Sequence, residues 1–193
     1  NSKLTSSMAD KWGVMIYQSF SGDAEGTEGT FTMNGGSLTD TDKNSPLFYL
    51  TNAEGTITLK GVEVSAASGV LVKAAANERW GTSGSNGGTA ILIADEQTLS
   101  GDLVADSISG LNLTLQNKSA LTGAINADKT AKIVSVTLDK SSTWTVTADS
   151  YVTILADADG ISGTSISNII GNGHNVYYDA SNTANSALNG QTY

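Results

Sequence analysis

The chain has no cysteine, one proline, one histidine and no long apolar run. Without cysteine there is neither a disulfide framework nor a thiolate metal centre. No stretch approaches the ~20 apolar residues that a membrane-spanning helix needs. Cations are scarce as well: ten Lys and Arg stand against nineteen Asp and Glu, a formal charge of −9. That balance speaks against nucleic acid, whose phosphates call for a basic face, and against docking on anionic lipid. The expectation is therefore no nucleic-acid partner and no membrane insertion. Charged residues make up only 15% of the chain, below the roughly 25% of an ordinary domain. Gly, Ser, Thr, Asn and Ala fill the space. Most of these are poor helix formers, so long helices are not expected.

Apolar residues come in short β-branched clusters. Ile57/Leu59, Leu111/Leu113/Leu115 and Val134/Val136/Leu138 alternate with period two, the spacing of a strand with one buried face. These clusters belong to a repeat. One unit holds Leu47 to Asn52, Gly55 to Leu59 and Val62 to Val64, closing at Gly69. The next holds Val70 to Val72, Ala90 to Ile93 and Thr98 to Ser100, closing at Gly101. A third holds Leu103 to Ala105, Leu111 to Leu115 and Ala120 to Thr122, closing at Gly123, and a looser fourth continues to Val146. Gly101 and Gly123 are 22 positions apart, while Gly69 and Gly101 are 32 apart. The excess matches one insertion, residues 77–88, which becomes a corner loop.

Three short strands per repeat of about 22 residues predict an all-β, single-stranded parallel β-helix, or β-solenoid. Right-handed crossovers are the default for parallel strands. One domain is expected over residues 1–193: N-terminal coils over 1–45, regular coils over 46–155, and a turn-rich C-terminal coil or cap over 156–193. The abrupt start and stop read as a segment of a longer protein.

Candidate sites follow from residue chemistry. Trp80, with Arg79 before it and Asn86 in the Gly/Ser insertion, is the first glycan-binding candidate, and Tyr177 and Tyr178 are the second. Calcium takes oxygen ligands from alternating acids on turns, which points to Asp23 with Glu25 and to Asp157 with Asp159. No cofactor is required; calcium is the one that these acids suggest. His174 lacks a neighbouring nucleophile and reads as a turn residue, so no catalytic residue is assigned. A lyase or hydrolase reading would need paired carboxylates, such as Asp102 with Asp106 or Asp128. Thr-x-Thr pairs at Thr30/Thr32, Thr56/Thr58 and Thr145/Thr147 raise ice binding, but Ala90 and Asn112 are taken to interrupt their column.

Several phrases also resemble a known group. Gly13-Val14-Met15-Ile16-Tyr17-Gln18-Ser19 followed by Ser21-Gly22-Asp23-Ala24-Glu25 looks like the start of right-handed parallel β-helix domains in large bacterial and archaeal surface proteins. Val70-Leu71-Val72-Lys73-Ala74-Ala75, the run from Trp80 to Gly88, Gln97-Thr98-Leu99-Ser100-Gly101 and the run from Asp157 to Gly163 are similar to the same group. The resemblance implies an extracellular or cell-surface, adhesin-like, carbohydrate-binding module. Its partner would be a polysaccharide or a host or cell-surface glycan. End-to-end self-association as a structural stalk or filament subunit is the alternative, and a β-helix polysaccharide lyase or hydrolase is the other.

Overall fold

A computed structural model describes residues 2–19 and 28–191. The chain is all-β, and among the described residues every sheet but one two-stranded hairpin is parallel. The longest sheet has six strands. From one edge to the other they are Gly29–Asn34, Ala53–Lys60, Gly88–Asp95, Gly110–Gln116, Ile133–Leu138 and Ile154–Ala156. A four-stranded sheet joins Val14–Tyr17, Phe48–Thr51, Val70–Ala74 and Asp102–Ala105. The bridge from Leu103 to Ile125 extends this sheet toward the paired strands Ser150–Val152 and Val176–Tyr178. The remaining strands form two parallel groups: Lys3–Ser6, Ser37–Asp40 and Glu63–Ala66, then Thr98–Ser100, Ala120–Thr122, Thr143–Thr145 and Ile169–Ile170.

Each strand of the parallel sheets pairs with a counterpart from a neighbouring sequence repeat rather than with its sequence neighbour. Ile57 lies beside Leu92, Leu92 beside Leu113, Leu113 beside Val136, and Val136 beside Leu155. Leu59, Ala94, Leu115 and Leu138 form a second inward column. All of these side chains are buried in one continuous core. Alternation with period two puts them inside, and repetition of the same register stacks them. Trp144 lies in this core with no exposed surface, and its indole N–H donates to the Gly123 carbonyl at 2.9 Å.

The glycine period has a steric cause. A Cβ on Gly123 would strike the Gly101 carbonyl, and one on Gly101 would strike the Gly69 carbonyl. Close backbone stacking at this corner therefore requires glycine at 101 and 123, whereas Gly69 has open space beside it and is set by its positive φ of 78°. A second corner is held by buried polar side chains. The Gln97 N–H donates to Ser119 Oγ, and the Ser119 N–H donates to Ser142 Oγ, both at 3.1 Å. The first of these pairs spans 22 residues, the sequence period.

The C-terminal end is covered. A 3-10 segment, Thr183–Leu188, buries Leu188 in the core and brings Asn185 against the edge strand Ile154–Ala156. Asn185 Oδ1 accepts the Leu155 N–H at 2.8 Å, and its Nδ2 donates to the Thr153 carbonyl at 2.9 Å. A side-chain amide thus takes the place of a further strand and blunts that edge.

Candidate functional site

The insertion at residues 77–88 folds back on the body of the molecule. Asn86 is buried, and its Nδ2 donates to the carbonyls of Asn77 and Trp80 at 2.6 and 2.7 Å, closing the loop. Trp80 is half-buried. Its ring meets Tyr17 at 4.6 Å, and the Arg79 guanidinium lies 4.9 Å from its centre. The structure therefore brings Arg79, Trp80 and Asn86 together, but neighbours occupy much of the Trp80 ring. The other tryptophan near this end, Trp12, stacks on Tyr49 at 4.5 Å with an 8° interplanar angle.

The second aromatic candidate lies beside a cavity at the C-terminal end. Tyr177 is exposed and stacks on Tyr151, the residue in register with it one strand away, at 4.8 Å and 10°. Lys129 sits 5.1 Å from the Tyr151 ring centre. One Tyr177 face is thus supported by a ring that a cation in turn holds. Its hydroxyl is 3.5 Å from Asp149 Oδ2, and the other Asp149 oxygen accepts the Asn175 N–H at 2.9 Å. Alternation sends Val176 and Tyr178 to the opposite side of the strand, where both pack against the core cluster. The Tyr178 hydroxyl donates to the Gln191 carbonyl at 2.8 Å.

The cavity holds about 410 Å³. Its lining mixes apolar Leu155, Ile166 and Ile169 with His174, Asn175, Tyr177, Tyr178 and Gln191. Its volume falls in the ~300–1,000 Å³ range of small-ligand sites, and apolar and polar groups share its lining. The sequence marked Tyr177 and Tyr178, but it gave His174 no binding role and did not mark Asn175, Gln191 or Tyr151. The paired tyrosines at one strand position were the available signal for the platform.

The acidic candidates separate. Asp23 and Glu25 lie outside the described residues. Asp157 is buried while Asp159 is exposed, two residues along the same turn. Among the described residues no three Asp, Glu or His side chains gather in a metal-sized group. Asp40, which the sequence reading did not single out, is fully buried with one oxygen lacking a hydrogen-bond partner. Its neighbour Asp42 is engaged by the Asp10 and Asn44 N–H groups at 2.7 and 3.1 Å. The carboxylates considered for catalysis hold backbone. Asp102 Oδ1 accepts the Ala124 N–H, and Asp106 accepts those of Ala76 and Ile108. Asp128 is exposed.

The Thr-x-Thr face differs from its sequence alignment. Ala90 pairs with Gly55 and points inward; Ile91 is the residue beside Thr56 and Ile93 the one beside Thr58. The outward columns read Thr30, Thr56, Ile91, Asn112, Ser135 and Thr32, Thr58, Ile93, Thr114, Thr137. Between Thr32 and Thr137 the second column is interrupted only by Ile93, and it ends on Ala156 beside Thr137, so the threonine order extends further than the alignment allowed.

No family model, no curated protein and no solved structure matches the chain. No helix among the described residues is long and apolar enough to cross a membrane.

Proposed function

We propose that the chain winds as a single right-handed parallel β-helix and serves as a non-catalytic carbohydrate-binding module at the cell surface or outside the cell. The observation that carries the functional reading is the Tyr177 platform beside the 410 Å³ cavity. A sugar presents a flat C–H face and a rim of hydroxyls. An aromatic ring with one face backed and its edge polar suits the first. The His174 and Asn175 side chains and the Gln191 amide suit the second. Because Tyr177 rests on Tyr151 and the in-register pair fixes both, little side-chain freedom remains to be lost on binding. The stacked sheets act as the rigid support.

Trp80 is the lesser site in this reading, since Tyr17 and Arg79 already occupy its ring. A screen of neutral and acidic polysaccharides, run on wild type, Tyr177→Ala and Trp80→Ala, separates the two. Binding should fall at least tenfold in Tyr177→Ala and stay within about twofold in Trp80→Ala, a tenfold loss being ~1.4 kcal/mol. Unchanged glycan affinity in Tyr177→Ala refutes the assignment.

A structural stalk or filament subunit is the second reading. It is favoured by the other end of the molecule. The edge strands Lys3–Ser6, Val14–Tyr17 and Gly29–Asn34 pair on one side only among the described residues. Such edges are templates for further strands.

A further inference from the structure

Resting on the glycan reading of the Tyr177 platform, we propose that Asp149 restricts that platform to uncharged sugars. It accepts a hydroxyl from a neutral ring and repels the carboxylate of an acidic one. Tyr177 lies on the strand Val176–Tyr178, which pairs only with Ser150–Val152 among the described residues. Tyr151 covers one face of its ring, the two rings lying within 10° of parallel. The opposite face looks outward along the same axis, where the next rung of an aromatic ladder would stand. A sugar ring takes that place, and its hydroxyls project past the edge of the tyrosine.

Asp149 stands at that edge. It is half-buried in the turn just before Ser150–Val152. Its Oδ1 accepts the Asn175 N–H at 2.9 Å, and its Oδ2 lies 3.5 Å from the Tyr177 hydroxyl. The first bond fixes the carboxylate beside the ring. The second is long, so Oδ2 keeps accepting capacity for a shorter bond from a ligand. An ionised carboxylate only accepts, and a hydroxyl is the donor that a neutral sugar brings. A uronic acid brings a second negative charge to the same place.

Little nearby offsets that charge. Asp149 forms no ion pair among the described residues. The cavity lining includes no Asp, Glu, Lys or Arg among them, and His174 is its only potential cation. Lys129 sits 5.1 Å from the Tyr151 ring centre. Tyr177 already covers one face of that ring, so Lys129 holds the other, and both tyrosines separate it from a bound sugar. The net charge of −9 adds to the repulsion. Two like charges a few ångströms apart at a protein surface cost about tenfold in affinity at low salt, and screening removes most of that at high salt.

Titration calorimetry of the full chain with matched oligosaccharides tests the proposal. The probes are oligomers of glucose, mannose and galactose, each beside the uronic-acid oligomer of the same configuration. Wild type, Asp149→Asn and Tyr177→Ala are compared at low and high salt. Asparagine keeps an oxygen for the Asn175 N–H, so Asp149→Asn should fold, as circular dichroism will show. In wild type at low salt, a neutral oligomer should bind about tenfold more tightly than its uronic counterpart, and the gap should narrow at high salt. In Asp149→Asn the gap should close to within about threefold at both salts, and Tyr177→Ala should lose both ligands. Suppose instead that wild type binds a uronic oligomer as tightly as its neutral partner and that Tyr177→Ala abolishes this. The role of Asp149 is then overturned while the platform stands. A tenfold gap that persists in Asp149→Asn has the same consequence. Unchanged affinity in Tyr177→Ala, or no binding of any oligomer by wild type, overturns the platform and the role of Asp149 together.

Discussion

Two residues carry different kinds of stability. Trp144 fills the core and satisfies its indole N–H on Gly123. Trp144→Ala removes the largest fully buried side chain and leaves that carbonyl without its donor. The unfolding free energy in urea should fall by ~3–5 kcal/mol. Asp139 acts through charge. Burial pushes its carboxyl up, but hydrogen bonds from the Asn117 N–H and from Ser141 and Ser142 outweigh it and hold the pKa at about 2. A depressed carboxylate stabilises the fold above its unfolded value of 3.8 and loses that contribution as pH falls through about 2. Asp139→Asn should therefore be less stable than wild type at pH 7 and show a flatter decline between roughly pH 4 and 2. Chemical denaturation across that range measures both effects.

At the scale of elements, the corner glycines are the most exacting feature. Gly123 lies against the Gly101 backbone, which cannot yield as a flexible side chain can. Gly123→Ala should destabilise by ~1–3 kcal/mol through overpacking, read as a shift of the urea midpoint. The same glycines explain why the strand plan was legible in the sequence. Their spacing is a direct imprint of stacking, and period-two alternation marks the buried columns. Legibility failed where contact depends on which residue of a strand stands opposite another. The alignment set Ala90 beside the Thr-x-Thr positions where the register has Ile91 and Ile93. A slip of one residue turns the opposite face outward, and an insertion of uncertain length just before the strand leaves that slip invisible. The aromatic sites were half legible for a related reason. Tyr177 and Tyr178 stand out locally, but Tyr151, Lys129 and Gln191 reach them only across turns. Asn185 as the cover of the Ile154–Ala156 edge, and Asn168 as the partner of Asp157, carry no local motif at all.

At the scale of the whole molecule, the two ends differ. The C-terminal edge is closed by Asn185 and Leu188, whereas the N-terminal strands pair on one side only among the described residues. Hydrogen exchange should follow this gradient. The slowest amides are expected in Ala53–Lys60, Gly88–Asp95 and Gly110–Gln116, which have paired strands on both sides, and the fastest in the short hairpin around Ile161–Ser162. Mass-spectrometric exchange of the native chain reads out that order. The parallel register underlies it, and it also sets Tyr177 on Tyr151. A cysteine-free chain allows the register to be tested directly by paired cysteine substitution. Thr58 and Ile93 are register partners on the outward face, whereas Ala94 is the partner of Leu59 and faces inward. Thr58→Cys with Ile93→Cys should cross-link rapidly through a short dithiol reagent, and Thr58→Cys with Ala94→Cys should not. Equal or reversed cross-linking would contradict the in-register parallel ladder.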